Sequence, residues 1–186
     1  TLFVNKKSAD KLRARPEGFE KTKINTLGML GAGMMGSGIA LVSARSGMNV
    51  ILLDSTEEQA AKGKNYTEKF LEKRAKKGKM TPEAAAEVLD RITVTTDFND
   101  LAECDLIIEA VFENREIKAD VTQKTEAVIS EETVFASNTS TLPITGLAES
   151  SSRPEGFIGM HFFSPVERMP LVEIILGKET SDRALA

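Results

Sequence analysis

The sequence has few of the residues that define the specialised classes of small protein. A single cysteine, Cys104, excludes an internal disulfide framework and a zinc site built from several cysteines. Tryptophan is absent, and no apolar run approaches the roughly 20 residues that a membrane-spanning helix needs. The formal charge of −4 argues against bulk affinity for nucleic acid. With 41% hydrophobic and 28% charged residues, the composition favours a soluble globular protein.

The length of 186 residues predicts one domain, or one domain with an appendage. Because the chain begins with Thr1, we expect it to be a piece of a longer protein. Residues 1–22 are polar and basic and are broken by Pro16 and Gly18. We interpret them as a short helix or tail that leads into a linker, and we place the folded domain at 23–186.

From residue 23 onward, predicted strands alternate with predicted helices. The strands are expected at 23–30, 49–54, 92–95, 105–111, 134–137, 156–162 and 171–176. Four helices are expected. The first runs from the glycine cluster to about residue 46, the second over 57–79, and the third from 82 to about 89, while the fourth follows the strand at 105–111 and ends near 129. Several strands are apolar throughout, which indicates a mostly parallel sheet covered on both faces. The predicted fold class is α/β, a Rossmann-type doubly wound sheet with helices on both faces.

The motif GAGMMG at 31–36 follows the first predicted strand and opens the first helix. Gly31 permits a tight turn, Gly33 lets the backbone approach a pyrophosphate, and Gly36 lets the helix pack on the sheet. Asp54, 18 residues beyond Gly36, ends the next strand and can accept hydrogen bonds from a ribose. The predicted dinucleotide-binding residues are Gly31, Gly33, Met34, Met35, Gly36 and Asp54.

The cofactor predicted from this motif is NAD and not NADP. Ser55 and Thr56 follow Asp54, and no arginine is present there to meet a ribose phosphate. The alternative is a glycine-rich turn in which the aspartate merely caps a loop.

The segment 62–79 concentrates positive charge. It has eight basic and two acidic residues and therefore carries a charge of +6. Since the whole chain carries −4, the residues outside this segment carry −10. Such a patch beside a dinucleotide site could hold the phosphates of a second, large anionic ligand. The alternative is a solvated amphipathic helix whose apolar face is formed by Tyr66, Phe70 and Leu71.

His161 is the only histidine, and it stands near the end of a predicted strand, where doubly wound folds bind ligands. Glu173 lies twelve residues later in an apolar strand, and a buried carboxylate needs a partner such as an imidazole N–H. Ser140 follows another strand end. Oxidation of an alcohol needs a base for the hydroxyl proton, and histidine suits that role near neutral pH. We therefore predict His161, Glu173 and Ser140 as catalytic residues, and no metal site.

These residues and their surroundings resemble the NAD-binding domain of the L-3-hydroxyacyl-CoA dehydrogenases. The segments GAGMMGSGIA, DLIIEAVFEN, FASNTSTLPI and GMHFFSPVERMPLVEII carry the resemblance over about 24–176. The sequence is most similar to the version inside multifunctional fatty-acid oxidation proteins, where an enoyl-CoA hydratase region comes first. Residues 1–22 then resemble the connecting segment.

The resemblance implies a role for individual residues. His161 matches the general base, Glu173 its orienting carboxylate, and Ser140 a serine that hydrogen-bonds the substrate. Glu113 and Lys118 match cofactor contacts near the nicotinamide. The basic segment corresponds to the region that meets coenzyme A, with Thr67 and Arg74 near its ligand positions. Ser164 stands where single-function enzymes often carry asparagine, and is expected to contact nicotinamide less directly.

The same resemblance implies partners and a compartment. The substrate would be a 3-hydroxyacyl-CoA, oxidised to the 3-ketoacyl-CoA in fatty-acid β-oxidation. The family's active site is completed by an asparagine from a following helical domain, so we expect the fragment to be poorly active. The parent would dimerise or join a thiolase complex in the bacterial cytoplasm, with mitochondrion or peroxisome left open. The alternatives are a non-catalytic NAD-binding module and a dehydrogenase for a free hydroxy acid.

Overall fold

Strands and helices alternate along residues 15–186, the part of the chain that the computed structural model describes. The elements are β1 (Thr26–Leu30), α1 (Met34–Arg45), β2 (Asn49–Leu53), α2 (Glu57–Lys76), α3 (Pro82–Asp90), β3 (Ile92–Thr95), β4 (Leu106–Glu109), α4 (Arg115–Glu126), β5 (Val134–Ser137), α5 (Ile144–Ala148), β6 (Phe157–Phe162), β7 (Val172–Leu176) and α6 (Asp182–Leu185). Short 3₁₀ turns cover Phe98–Leu101 and Pro154–Gly156. The prediction for the amino-terminal segment falls largely outside the described residues, and 15–22 form neither helix nor strand.

The strands of the described residues form one seven-stranded sheet in the order β3-β2-β1-β4-β5-β6-β7. Neighbouring strands from β3 to β6 pair in parallel, and β7 pairs antiparallel with β6. The chain leaves β1 towards one edge of the sheet and returns to β4 on its other side. This reversal opens a crevice at the carboxyl ends of β1 and β4, which is where doubly wound folds bind ligands. The predicted α/β fold is confirmed.

Each face of the sheet has its own apolar core. Leu27 and Met29 of β1 point to the face covered by α1, α2 and α3, whereas Leu30 points to the face covered by α4 and α5. This alternation follows from the two-residue repeat of a strand. On the second face the rings of Phe135 and Phe157 stack with centroids 5.2 Å apart. Burial on both faces explains why β1 has so few polar residues.

The ends of several elements differ from the prediction by a few residues. Helix α2 ends at Lys76 and not at 79, because Gly78 adopts φ 65° and turns the chain. Strand β4 is shorter than the predicted 105–111, and α4 ends at Glu126 and not near 129. Thr81 caps α3, since its hydroxyl accepts a hydrogen bond from the Ala84 N–H at 3.2 Å. None of the helices between residues 15 and 186 combines the length and apolar composition that crossing a bilayer requires.

Candidate active site

The turn between β1 and α1 depends on two glycines for different reasons. Gly31 has φ 92°, and a Cβ there would lie 2.8 Å from the Ala110 carbonyl oxygen. At Gly36 a Cβ would lie 1.8 Å from the Gly31 carbonyl oxygen, so only glycine lets α1 start this close to β1. Gly33 differs, because a Cβ there would enter open space. No side chain of the described residues caps α1, which leaves its amino-terminal N–H groups facing that space.

A cavity of 720 Å³ lies against this turn at the carboxyl ends of β1, β2 and β4. Asp54 stands in its wall, and its Oδ2 accepts a hydrogen bond from the Ala32 N–H at 2.6 Å, which fixes the carboxylate against the turn. Ser55 donates to Oδ1 through its N–H and its hydroxyl, at 2.6 and 3.1 Å. A helix amino terminus, an open glycine and a fixed carboxylate suit a pyrophosphate and the neighbouring ribose. The residues present therefore fit NAD.

His161 and Glu173 face each other as register partners on β6 and β7. The Nδ1 of His161 lies 2.8 Å from Oε2 of Glu173, and its Nε2 lies 3.2 Å from the Ser140 hydroxyl. Because a carboxylate only accepts, the tautomer of the neutral ring that fits this contact has the proton on Nδ1 and a free electron pair on Nε2. The histidine side chain is 17% exposed, whereas that of Glu173 is 51% exposed. The expectation that this carboxylate is buried is therefore wrong, because β7 lies at the edge of the sheet. The structure thus brings these three sequence-predicted residues together at the carboxyl end of the sheet.

Glu113 secures the loop that carries Ser140. Its Oε1 accepts hydrogen bonds from the Thr139 hydroxyl, from the Ser140 N–H at 3.2 Å and from the Thr141 N–H at 3.4 Å. Burial raises the pKa of the Glu113 carboxyl, but the bond from Thr139 and the charge of Lys118 outweigh it, so the pKa lies below its ordinary value. Glu113 therefore acts as an anion that organises the loop.

Lys118 is buried beneath this loop and not displayed in the crevice. Its side chain is 2% exposed, and its Nζ donates to Glu109 at 2.8 and 3.1 Å and lies 3.4 Å from Oε2 of Glu113. Sequence reasoning missed Glu109. The signal was available, because Glu109 is an acidic residue in the apolar strand LIIE, the same pattern that singled out Glu173. It also missed Asn138, whose Oδ1 accepts from the Phe162 N–H and joins the ends of β5 and β6.

Met34 and Ser164 meet where the loop after β6 approaches α1. The Ser164 hydroxyl lies 3.9 Å from the Met34 sulfur, and Met34 is 71% exposed. Met35 packs instead against the apolar core on the α1 face of the sheet. Of the two methionines in the glycine motif, Met34 therefore has the exposed side chain and Met35 the one packed on the core.

The basic segment, residues 62–79, forms the last three-quarters of α2 and the turn after it. Arg74 stacks its guanidinium over the ring of Phe70, 5.9 Å from the ring centre, and is half-buried. Thr67 was expected to lie near the ligand positions for coenzyme A, and this expectation is wrong. Its side chain is fully buried and its hydroxyl has no hydrogen-bond partner, so it presents nothing to a ligand at this surface. Its place on the face of α2 that packs on the sheet explains this burial.

The fold, the glycine turn and the fixed Asp54 define an NAD-binding Rossmann domain. The family model for the NAD-binding domain of 3-hydroxyacyl-CoA dehydrogenase matches residues 26–186. The chain belongs to this family, and NAD is its cofactor.

Similar proteins support the same assignment. The chain is 44% identical to the fatty acid oxidation complex subunit alpha of Psychrobacter arcticus over 185 residues, all of this chain and 26% of that protein. It is 50% identical to a probable 3-hydroxybutyryl-CoA dehydrogenase of Deinococcus radiodurans over 155 residues, 83% of this chain and 55% of that protein. It superposes on the crystal structure of (S)-3-hydroxybutyryl-CoA dehydrogenase from Ralstonia eutropha with a TM-score of 0.85 and 41% identity, over 88% of this chain and 58% of that one. The chain thus spans about a quarter to just over half of the length of these relatives.

Proposed function

We propose that this domain provides the NAD site and the catalytic base of an enzyme that oxidises L-3-hydroxyacyl-CoA to 3-ketoacyl-CoA in fatty-acid β-oxidation. The observation that carries the proposal is the arrangement around His161. A carboxylate holds one ring nitrogen at 2.8 Å, a hydroxyl lies 3.2 Å from the other, and both contacts lie at the carboxyl end of the sheet. A protein that only binds NAD has no need for an oriented base there.

In this proposal each of the three side chains has one task. His161 accepts the proton of the 3-hydroxyl at Nε2, the nitrogen with the free electron pair. Glu173 keeps the ring in that tautomer and stabilises the imidazolium that forms. Ser140 donates a hydrogen bond to the reacting oxygen as it becomes a carbonyl. NAD, when bound, supplies the hydride acceptor, so the two electrons and the proton leave the substrate by separate routes.

The cofactor contacts divide between two ends of the crevice. At the adenosine and pyrophosphate end, the proposed contacts are Gly31, Gly33, Met34, Met35, Gly36 and Asp54. At the nicotinamide end, the proposed contacts are Glu113 and Ser164. Lys118 is buried, and it affects the cofactor through its ion pair with Glu113.

The segment 62–79 supports a coenzyme A thioester over a free hydroxy acid. A small acid needs one cation, whereas this surface concentrates eight basic residues, of which Arg74 lies near the expected ligand position. Lys62 and Lys76 are partly neutralised by ion pairs with Glu58 and Glu72 on the same helix. The other cations of the segment then remain for the phosphates of coenzyme A.

The test compares acetoacetyl-CoA with acetoacetate as oxidants of NADH, using the complete protein that contains this domain. We expect turnover with the thioester only, measured as the loss of NADH absorbance at 340 nm. Replacing His161 with glutamine should lower kcat by roughly 10²–10⁴-fold and leave NADH affinity nearly unchanged. Retained turnover in that variant removes His161 from the mechanism. NADH binding without any turnover favours the non-catalytic module, and turnover of acetoacetate favours the hydroxy acid dehydrogenase.

The proposal extends to partners and compartment. Large apolar side chains are exposed along β7 and the loop before it, namely Met169, Leu171, Ile174, Ile175 and Leu176. They support coverage of this edge by the helical domain expected after it. We further propose that the parent protein dimerises or joins a thiolase complex, and that it works in the bacterial cytoplasm. Size-exclusion chromatography with light scattering on the complete protein distinguishes a monomer from these assemblies.

A further inference from the structure

Glu109 is a buried acidic residue at the carboxyl edge of the sheet, and both of its carboxylate oxygens accept hydrogen bonds. It ends β4, and its side chain is 1% exposed. One carboxylate oxygen accepts from the Val111 N–H at 2.7 Å, and the other accepts from the Ser137 hydroxyl at 2.7 Å. Lys118 donates to both oxygens. A buried carboxylate is costly unless it is paired and hydrogen-bonded. The groups that bond the Glu109 carboxylate come from β5, α4 and the loop after β4.

Lys118 links this buried carboxylate to a second one at the surface of the crevice. Its ammonium lies 2.8 Å from Glu109 and 3.4 Å from Glu113, whose side chain is 37% exposed. Lysine is a flexible side chain with a compact charge, and here contacts with two carboxylates fix its position. Lys118 thus has one buried and one partly exposed carboxylate as partners.

From Glu113 the contacts continue to the proposed catalytic residues. The Oε1 of Glu113 holds the loop of Thr139 and Ser140, and the Ser140 hydroxyl lies 3.2 Å from the Nε2 of His161. A continuous series of hydrogen bonds and ion pairs thus leads from the interior of the sheet to the base. Charged groups buried in such a series are sensitive to the loss of any member.

We propose that Glu109 is a positioning residue of the cofactor site: it anchors Lys118 so that Glu113 stays on the loop of Ser140 and faces the bound cofactor. This inference rests on the proposed function, because it assigns Glu113 to the nicotinamide end. Without the carboxylate of Glu109, the ammonium has one anionic partner left. It then moves towards Glu113 and draws that carboxylate away from the Ser140 loop.

The experiment is a double-mutant cycle on the 186-residue chain, with NADH affinity measured by fluorescence titration. Glu109→Gln keeps the shape of the side chain and removes its charge, and Lys118→Met removes the ammonium. We expect Glu109→Gln to weaken NADH binding about tenfold, the scale of one charged hydrogen bond. If Glu109 acts through Lys118, the double variant binds no more weakly than Lys118→Met alone. Equal effects in both backgrounds overturn the proposal, as does wild-type affinity in a folded Glu109→Gln chain.

A second readout does not depend on the cofactor. His161 is the only histidine, so its ring resonances in NMR spectra need no further assignment. Glu109→Gln and Lys118→Met should each shift them, and the double variant should match Lys118→Met. A wild-type chain that fails to bind NADH overturns the proposed function, whereas the His161 resonances still decide the role of Glu109. If Glu109→Gln does not fold, the comparison of Lys118→Met with the double variant decides it.

Glu126→Gln is the matched control. Glu126 also accepts several hydrogen bonds, from the hydroxyl of Ser151 and from the N–H and hydroxyl of Ser152, but it ends α4 away from the crevice. This variant should change neither NADH affinity nor the His161 resonances. A tenfold loss of affinity in the control overturns the claim that the effect of Glu109 is specific to its connection with Lys118.

Discussion

The two halves of the cofactor crevice differ in the chemical groups that form them. On the side of β1 and β2, main-chain N–H groups and a single carboxylate, Asp54, form the site. On the side of β4 to β7, the site consists of side chains in contact, with Glu109 and Lys118 buried and His161 and Glu173 partly exposed. Backbone geometry therefore governs the first half, whereas charge pairing governs the second.

This difference determines what a substitution can do in each half. In the backbone half, an added Cβ either meets main-chain atoms or enters the space meant for the ligand. In the side-chain half, loss of one partner leaves the other charge behind, and the consequence depends on how much water reaches it.

Lys118→Met is expected to have the largest effect on stability. It leaves the Glu109 carboxylate buried without its cation, which should lower the free energy of unfolding by about 3–5 kcal/mol. Urea denaturation followed by circular dichroism measures this loss. The same method applied to Glu173→Gln should give less than about 1 kcal/mol, because Glu173 is 51% exposed. Similar losses in the two variants would contradict the distinction between a buried and a solvated pair.

Glu173→Gln should instead reduce activity, in the complete protein assayed with acetoacetyl-CoA. An amide no longer stabilises the imidazolium, and we expect kcat to fall on the order of 10²-fold, within the range for general base catalysis. Glu132→Gln is the control, since Glu132 pairs with Arg183 and is also largely exposed. Equal kcat values for Glu173→Gln and the wild type would show that the 2.8 Å contact has no catalytic role.

Alanine at Gly36 and at Gly33 should separate folding from binding in the backbone half. A Cβ at Gly36 would lie 1.8 Å from a backbone oxygen, so Gly36→Ala should destabilise the chain by about 1–3 kcal/mol. Gly33 has φ −68° and open space around it, so Gly33→Ala should leave stability within about 0.5 kcal/mol. Its methyl group occupies the space of the pyrophosphate, and NADH affinity should fall roughly tenfold. Unchanged NADH affinity in Gly33→Ala would contradict this placement of the cofactor.

The two halves also differ in how far the sequence predicts them. The glycine turn and Asp54 lie within 24 residues and follow a local pattern, so both the fold and this part of the site could be predicted. His161 and Glu173 could be paired by chemistry, because an acidic residue in an apolar strand needs a partner such as an imidazole N–H. The antiparallel register of β6 and β7 that brings them together is seen only in the structure. Glu109 could not be paired with Lys118 and Ser137 in this way, since those contacts depend on how α4 and β5 pack beside β4.

Burial was the other property that the sequence did not reveal. Thr67 is a polar residue in a basic helix, and its pattern does not distinguish it from the exposed residues around it. Only the packing of α2 on the sheet shows that its side chain is fully buried. Lys118 was predicted to lie beside the cofactor, and its 2% exposure became evident only from the three-dimensional arrangement.

The smallest expected effect concerns pH and Glu113, which lies between the two kinds of environment. Its carboxyl pKa is lower in the folded chain than its ordinary value of 4.5, so the ionised form favours folding. That contribution is fully present above the ordinary pKa and is lost as the pH falls through the lower, folded value. The free energy of unfolding of the wild type, minus that of Glu113→Gln, should therefore stay constant above about pH 5.5 and shrink below about pH 4.5. Because Glu113 is partly exposed, the change should be smaller than the loss in Lys118→Met. A difference that grows on acidification would mean that burial dominates at Glu113 and that its bond from Thr139 contributes little.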